Sequence, residues 1–290
     1  MKFSLVVPTK NRTEEVGRLL EGLKHQTFQD FEIILSDQNT DDRIVALLEK
    51  INWPGKITHI RSSGGASCAR NVGLEVAKGE IVTFPDDDCM YFPDLLERIA
   101  HFFDQHPEFG YLNGRSVADD GGDAASSHSK EAGEVQKYTI YQQGIEFTFF
   151  VRRATLGDIR FDARLGTGSV SPWQSDEAPD VMLNLKERGV RGYYDPSFQI
   201  WHPRMEPTFD EAMVSRCYRY ACGSGYFLRK HNYPWWFFAQ INGRTFCGIL
   251  VGLLTFNLGK ARYYWARIRG RWAGWMGYVA ENPKGVAKTG

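Results

Sequence analysis

Residues 80–88 read Glu-Ile-Val-Thr-Phe-Pro-Asp-Asp-Asp, so three consecutive carboxylates follow a short apolar run. The β-branched and aromatic run predicts a buried strand, which Pro85 ends because proline cannot donate a ladder hydrogen bond. Crowded carboxylates repel one another unless a cation lies between them. Asp86, Asp87 and Asp88 therefore predict part of a site for a divalent cation and an anionic ligand. The alternative is a solvated acidic turn or a helix N-cap in front of residues 93–96.

Strands and helices alternate around this stretch. Residues 3–12 predict a strand that ends in a polar loop, and a helix with apolar residues at helical spacing follows: Val16, Leu19, Leu20 and Leu23. Further strands are predicted at 31–35 and 57–60, and a further helix from Ala69. This alternation predicts an α/β fold with a parallel, doubly wound sheet. Ligands bind at the carboxyl ends of such strands, so Asp37 is expected at the same sheet edge as the acidic triplet.

Several short motifs follow the order seen in the family 2 glycosyltransferases. They are Val6-Val7-Pro8-Thr9 with Arg12, Gln26, Ser36-Asp37, Ala69-Arg70-Asn71, Asp86-Asp87-Asp88, 161–166, 176–180, Tyr194-Asp195-Pro196 and Trp201-His202-Pro203. The chain resembles this family over roughly residues 1–205. The resemblance implies an inverting enzyme that uses a nucleotide-sugar donor. It also implies a GT-A, Rossmann-like fold with a mostly parallel sheet between helices, a catalytic domain over 1–205 and a helical C-terminal region over 206–290.

The resemblance also implies roles for individual residues in donor binding. The donor would be a UDP-, GDP- or dTDP-sugar, and the residues expected to bind it are Pro8, Thr9, Arg12, Asp37, Arg70, Asp86 and Asp87. The expected metal ligands are Asp86, Asp88 and His202, holding Mn²⁺ or Mg²⁺, which accept oxygen ligands. The alternatives are an ordinary turn at Thr9, a helix-surface charge at Arg70 and a structural or exposed histidine at His202.

Inverting transfer needs a base that takes the proton of the acceptor hydroxyl. The family places an aspartate as base in a Glu-Asp pair at a helix start, but here Ala178 stands at that position. Glu177 is the first candidate for the base, Asp176 the second and Asp180 the third. The alternative is that these acids only cap the helix and stabilise its N-terminus.

The C-terminal region is basic and aromatic although the whole chain has a net charge of +0. Residues 212–280 contain no Asp or Glu, but ten Lys and Arg and many Trp and Tyr. This composition favours an anionic membrane surface over nucleic acid as partner. The 13-residue apolar run 246–258 is shorter than the about 20 residues that span a bilayer. It predicts an interfacial or re-entrant helix, or the core of a small helical subdomain.

These patterns together predict a metal-dependent glycosyltransferase that extends a lipid-linked or cell-envelope glycan. Five cysteines without metal-ligand spacing indicate reduced thiols, and the first apolar run is too short for a signal peptide. The expected location is therefore cytoplasmic, on the inner face of the cell membrane. One alternative is a catalytically inactive module that binds a sugar nucleotide or a membrane. The other is a haloacid-dehalogenase-like phosphoryl transferase, which carries its Asp-x-Asp motif after the first strand rather than the fourth.

Overall fold

A computed structural model describes residues 1–281, which form two compact units. The first unit contains Met1–Asp162 and Ala178–Met205. Of the described residues, the second contains Ala163–Glu177 and residues 206–281. The segment Ala163–Glu177, expected in the catalytic domain, thus groups with the C-terminal helices. The reason is apolar packing, because Leu165 and Trp173 form a buried cluster with Cys222 and Tyr226 of that unit.

The first unit is built on one nine-stranded sheet with the order β3-β2-β1-β4-β8-β6-β9-β5, in which β7 pairs with β9. The strands are β1 Phe3–Thr9, β2 Phe31–Asp37, β3 Lys56–Arg61, β4 Ile81–Thr83, β5 Met90–Tyr91, β6 Tyr111–Val117, β7 Gly133–Glu134, β8 Phe149–Arg152 and β9 Gly192–Trp201. The helices are α1 Glu14–Lys24, α2 Arg43–Lys50, α3 Ala66–Val76, α4 Leu95–Gln105, α5 Arg153–Leu156 and α6 Glu177–Glu187. The predicted α/β fold is confirmed.

The sheet is parallel only in part. Strands β3, β2, β1 and β4 run parallel, as the alternation of strands and helices predicts. Strand β8 then lies antiparallel between β4 and β6, and β5 and β7 pair antiparallel with β9. The prediction of a mostly parallel sheet therefore holds for β1–β4, and β6 also pairs parallel with β9, whereas the sheet as a whole is mixed. Antiparallel strands need no crossover helix, so they leave no alternating pattern in the sequence.

The core of the first unit follows directly from the sequence pattern. Strands β1 and β2 are buried along their whole length, which explains their nearly continuous apolar runs. Helix α1 buries the apolar stripe predicted for it: Val16, Leu19, Leu20 and Leu23. These side chains and their neighbours from α4 form one apolar cluster with the sheet. This cluster fixes the strand ends that carry the polar residues described below.

Within residues 1–281, the second unit contains the helices α7 Glu211–Lys230, α8 Trp235–Leu254 and α9 Leu258–Glu281. The predicted helical C-terminal region is thereby confirmed. Helices α7 and α9 approach closely, since a Cβ atom on Gly274 would lie 1.9 Å from the Cys222 carbonyl oxygen. Helices α8 and α9 approach closely too, since a Cβ atom on Gly252 would lie 2.7 Å from the Ala261 backbone nitrogen.

The apolar run 246–258 is part of a longer helical hairpin rather than a helix of its own. It contains the end of α8, the turn after it and the first residue of α9. Helix α8 starts at Trp235, is 20 residues long, and is apolar enough by length and composition to cross a membrane. Gly248 and Gly252 do not interrupt α8, because they are the positions at which this helix contacts Tyr264 and Ala261.

Candidate functional site

The three consecutive aspartates form a turn directly after β4. Phe84 is buried behind the turn, and the backbone nitrogen of Cys89 donates to the Asp86 carbonyl oxygen at 3.2 Å. In the neighbouring pair of strands, the parallel register sets Thr9 at the end of β1 beside Asp37 at the end of β2. The polar ends of β1, β2 and β4 therefore lie along one sheet edge, as the sequence predicts.

Both oxygens of Asp87 accept hydrogen bonds from the N-terminal loop. Thr9 Oγ1 donates to one oxygen at 2.8 Å, and Arg12 Nη1 donates to the other at 2.6 Å. The same Arg12 nitrogen lies 2.6 Å from Asp88 Oδ2. Burial raises the pKa of Asp87, and Arg12 and Thr9 counteract only part of this effect. Asp87 thus connects the acidic turn to the end of β1. Its two partners, Thr9 and Arg12, are both predicted to bind the donor.

Asp86, Asp88 and His202 form a cluster that could hold a metal ion. One ligand atom from each of these residues lies within 4.8 Å of the others. His202 follows β9, and the antiparallel register pairs Trp201 with Met90, which places His202 next to the turn. Its Nε2 lies 3.4 Å from Asp88 Oδ1. Mn²⁺ binds both carboxylate and imidazole ligands, and Mg²⁺ binds carboxylates. These three residues therefore fit the predicted cation.

The His202 ring is held from two sides. Its Nδ1 lies 2.8 Å from the Pro203 carbonyl oxygen, which fits an Nδ1–H donor and leaves Nε2 toward Asp88. The ring stacks on Phe147 with centroids 4.8 Å apart. The sequence does not predict this contact, because Phe147 lies in a short 3-10 turn that has no periodic pattern.

The electrostatics of the cluster also favour a cation. Burial raises the pKa of Asp86 to about 7, and the nearby carboxylate of Glu146 adds to this rise while Arg70 opposes it. The pKa of Asp88 is lowered despite burial, because His202 and Arg12 stabilise its charged form. The pKa of His202 is raised despite burial, because Asp88 and Asp86 stabilise the imidazolium. A divalent ion would satisfy both carboxylates without the proton.

Arg70 lies inside the protein rather than on a helix surface. Its side chain is 2% exposed and its Nη2 lies 3.1 Å from Asp86 Oδ1. Its guanidinium also lies over the Phe161 ring, 5.6 Å from the centroid. Asn71 fixes Phe161 by donating to its carbonyl oxygen at 2.8 Å and accepting from its backbone nitrogen at 2.9 Å. The alternative of a solvated helix-surface charge at Arg70 is therefore wrong.

Asp37 is fully buried at the end of β2 within a polar network. One oxygen accepts from the backbone and side-chain nitrogens of Asn39 at 2.8 and 2.7 Å. The other lies 2.9 Å from His59 Nε2 and 2.8 Å from Arg61 Nη1. Both partners from β3 escaped the sequence analysis, although the parallel register that pairs Asp37 with Arg61 follows from the predicted sheet.

The three candidate bases differ in their surroundings. Glu177 is the buried first residue of α6. Asp176 has a left-handed backbone with φ 68, and its carboxylate accepts hydrogen bonds from Ser175 and, at 2.9 Å, from Ser224. Asp180 is fully buried, and Asn184 one turn later donates to it at 3.3 Å. Asp176 is thus the candidate held by hydroxyl groups, whereas Glu177 lies at the helix N-terminus.

Comparison with known proteins identifies the family. Residues 4–163, more than half of the chain, match the sequence model described as Glycosyl transferase family 2. The chain belongs to glycosyl transferase family 2. The matched part contains the acidic turn, Asp37 and Arg70, but it ends before His202 and the candidate bases. The family prediction made from the motifs is confirmed.

The similar proteins match only part of the chain. One is an uncharacterized glycosyltransferase of Haemophilus influenzae, 33% identical over 110 residues, which are 38% of this chain and 37% of the relative. Another is the poly(ribitol-phosphate) beta-N-acetylglucosaminyltransferase TarS of Staphylococcus aureus, 35% identical over 113 residues, which are 37% of this chain and 19% of TarS. The matched part is thus well under half of either relative.

Solved structures of S. aureus TarS share the fold. TarS 1–349 superposes with a TM-score of 0.60 at 22% identity, covering 98% of this chain and 92% of that one. TarS 1–349 in complex with UDP-GlcNAc superposes with a TM-score of 0.58 at 21% identity, covering 94% and 91%. The predicted GT-A fold is confirmed by this likeness.

Proposed function

We propose that this family 2 protein is an inverting, metal-dependent glycosyltransferase that transfers a sugar from a nucleoside-diphosphate sugar to a hydroxyl of a cell-envelope glycan. The observation that carries the proposal is the cluster of Asp86, Asp88 and His202 at the carboxyl edge of the sheet. A UDP-sugar is the favoured donor, because a protein of the same fold has been solved with UDP-GlcNAc. An envelope acceptor is favoured because one relative is named for poly(ribitol-phosphate) and another, GgaB of Bacillus subtilis, for minor teichoic acid biosynthesis.

The residues of the sheet edge divide the work of donor binding. Asp86, Asp88 and His202 would hold Mn²⁺ or Mg²⁺, which offsets the charge of the leaving diphosphate as a Lewis acid. Arg70, buried beside Asp86, supplies a fixed guanidinium that suits phosphate oxygens. The nucleoside would lie against the ends of β1 and β2, near Pro8, Thr9, Arg12 and Asp37. Asp87 keeps that loop attached to the acidic turn through Thr9 and Arg12.

Glu177 is proposed as the base that takes the proton from the acceptor hydroxyl. It replaces the aspartate that the family carries one position later, where this chain has the buried Ala178. Asp176 is the second candidate, but its carboxylate accepts from the hydroxyls of Ser175 and Ser224, which indicates a supporting role. Asp180 is the third, inside the first turns of α6.

Release of UDP from UDP-GlcNAc, with and without Mn²⁺, tests the proposal. The parent is expected to release UDP only with the metal, and Asp88→Ala is expected to abolish both release and metal-dependent UDP binding while circular dichroism stays unchanged. Asp120→Ala is the matched control, because Asp120 is an exposed acid paired with Arg204. A parent that binds UDP but never turns over would instead be the inactive binding module. An active Asp88→Ala with unchanged metal affinity would remove the proposed site.

The proposed location is the cytoplasmic face of the cell membrane, with α8 lying at the surface. Helix α8 is long enough to cross, but α9 packs along it and contains Arg262, Arg267, Arg269 and Arg271. A hairpin that crossed would carry these arginines into the bilayer, at about 2.5–3.5 kcal/mol each near its centre. At the interface the same charges meet anionic headgroups, so a peripheral position is the more stable one.

A further inference from the structure

The last residue of α8, the turn after it and the first residue of α9 expose three large apolar side chains at alternating positions. Leu254, Phe256 and Leu258 are 80%, 92% and 65% exposed. We name this group, 254–258, the apolar apex. Single exposed apolar residues are ordinary on a soluble protein, but contiguous ones at the tip of a hairpin indicate an interaction surface.

Backbone hydrogen bonds hold the apex in one shape. The end of α8 is closed by bonds from the backbone nitrogens of Phe256 to the Leu253 carbonyl at 3.1 Å and of Asn257 to the Gly252 carbonyl at 2.8 Å. Asn257 also caps α9, because its Oδ1 accepts from the Lys260 backbone nitrogen at 2.8 Å. The apolar side chains are therefore presented by an ordered turn.

Phe256 occupies a backbone conformation that suits glycine. Its φ is 53, in the left-handed region that a bulky side chain rarely adopts. Helices commonly end with glycine at this point. The Phe256 side chain is almost fully exposed and its backbone is strained, so this side chain does not stabilise the folded state. This combination points to a use outside the folded chain.

The surroundings of the apex specify the kind of partner. The outer side of α8 continues the apolar surface with exposed side chains: Trp236, Phe246, Leu250, Val251 and Leu253. Helix α9 adds exposed Trp265 and Trp272. Every charged residue between 212 and 280 is Lys or Arg, and of these Arg262 pairs with Glu211. A second copy docked on this surface would set like charges against each other, whereas an anionic bilayer offers both apolar depth and opposite charge.

We infer that the apolar apex inserts into an anionic lipid bilayer and anchors the protein there, with Phe256 as its deepest residue. The inference deepens the membrane location proposed above, and it is independent of sugar transfer. Basic residues of the second unit attract the protein to the headgroups, and this attraction is screened by salt. Burial of the apex in the acyl region adds a contribution that salt does not remove.

Flotation of the full chain with vesicles tests the inference. Vesicles of phosphatidylcholine with about one third phosphatidylglycerol are compared with vesicles of phosphatidylcholine alone, at low and high salt. Phe256→Gly is the decisive variant, because glycine relieves the left-handed backbone and keeps the turn folded. It is expected to lower the partition coefficient on anionic vesicles about tenfold or more, since it removes one fully buried aromatic side chain. Leu254→Ser with Leu258→Ser is expected to act in the same direction.

Val170→Ser is the matched control, because Val170 is also an apolar side chain, 94% exposed, but lies in the segment Ala163–Glu177. It should bind vesicles like the parent. Binding of Phe256→Gly equal to that of the parent would overturn the inference. So would a parent that ignores anionic vesicles, or one that forms a dimer which Phe256→Gly dissolves. UDP release without vesicles is measured for every variant. If the parent releases no UDP but still floats in a way that depends on the apolar apex, the proposed transfer reaction is wrong and the membrane inference is supported.

Discussion

His202 Nε2 lies 3.4 Å from Asp88 Oδ1, and this pair joins the residue after β9 to the acidic turn after β4. The contact depends on the antiparallel pairing of β5 with β9, in which Met90 lies opposite Trp201. The stacking of His202 on Phe147 and its contact with the Pro203 carbonyl fix the ring in this position. The imidazole is thus held in place with Nε2 toward Asp88.

His202→Ala is expected to weaken Mn²⁺ binding at least about tenfold, because it removes one of the three proposed metal ligands. Isothermal titration of the protein with Mn²⁺ in the presence of UDP measures the effect. His101→Ala is the control, since His101 is exposed on α4. Equal Mn²⁺ affinity for His202→Ala and the parent would show that the third ligand comes from elsewhere.

Glu177→Gln is expected to lower turnover by about 100-fold or more while UDP affinity stays close to that of the parent, because it removes a proton acceptor without changing size. Single-turnover assays with donor and acceptor glycan measure it.

Asp176→Asn should keep most of its turnover. Asparagine still accepts the hydroxyl hydrogen bonds of Ser175 and Ser224, and it tolerates the left-handed backbone at φ 68. A full loss of turnover in Asp176→Asn, together with an active Glu177→Gln, would reverse the two assignments.

The part of the fold that rests on local periodicity could be predicted from the sequence. The buried stripe of α1 and the fully buried strands β1 and β2 follow from apolar spacing alone. The common edge of Thr9 and Asp37 follows from parallel strand direction. The acidic turn could be predicted because three adjacent carboxylates after an apolar strand repel one another unless a cation lies between them.

The rest depends on pairings between distant segments. Strands β5, β7 and β8 contain two, two and four residues, which is too short for a periodic signal. Without the β5–β9 pairing, nothing in the sequence places His202 beside Asp88, and the motif resemblance supplied that expectation. The contact of Asp176 with Ser224 likewise depends on α7, a helix that the sequence predicts only in outline.

Asn71→Ala is expected to lower the free energy of unfolding by about 1–3 kcal/mol, because it leaves the backbone N–H and carbonyl of Phe161 without their partners. Phe161 lies beneath Arg70, so UDP affinity should also fall. Urea unfolding and UDP titration measure the two effects. Asn52→Ala is the control on an exposed loop. If Asn71→Ala matches Asn52→Ala in stability, the paired hydrogen bonds contribute little.

His128 is expected to make the stability of the protein depend on pH. The side chain is buried, and its Nε2 accepts from the Ser116 backbone nitrogen at 3.3 Å and lies 2.8 Å from Ser116 Oγ. The proton therefore resides on Nδ1, which has no hydrogen-bond partner within residues 1–281. Burial lowers the pKa of His128 to about 4, with only partial opposition from Asp123. The folded state thus holds the imidazole neutral where the unfolded chain would protonate it.

The sign of the effect follows from this lowered pKa. Well above pH 6.5, His128 is neutral in the folded and the unfolded state and does not affect the free energy of unfolding. As the pH falls from about 6.5 to 4, the unfolded state binds a proton first, and the free energy of unfolding falls by about 3 kcal/mol. Asp86, whose pKa is raised to about 7, acts in the opposite sense over this range, so the parent must be compared with His128→Gln at each pH. Glutamine keeps an acceptor for Ser116 but does not titrate. The difference in unfolding free energy should change by about 3 kcal/mol across the window in favour of the variant at low pH. A flat difference for His128→Gln would mean that the buried imidazole takes up its proton without loss of stability.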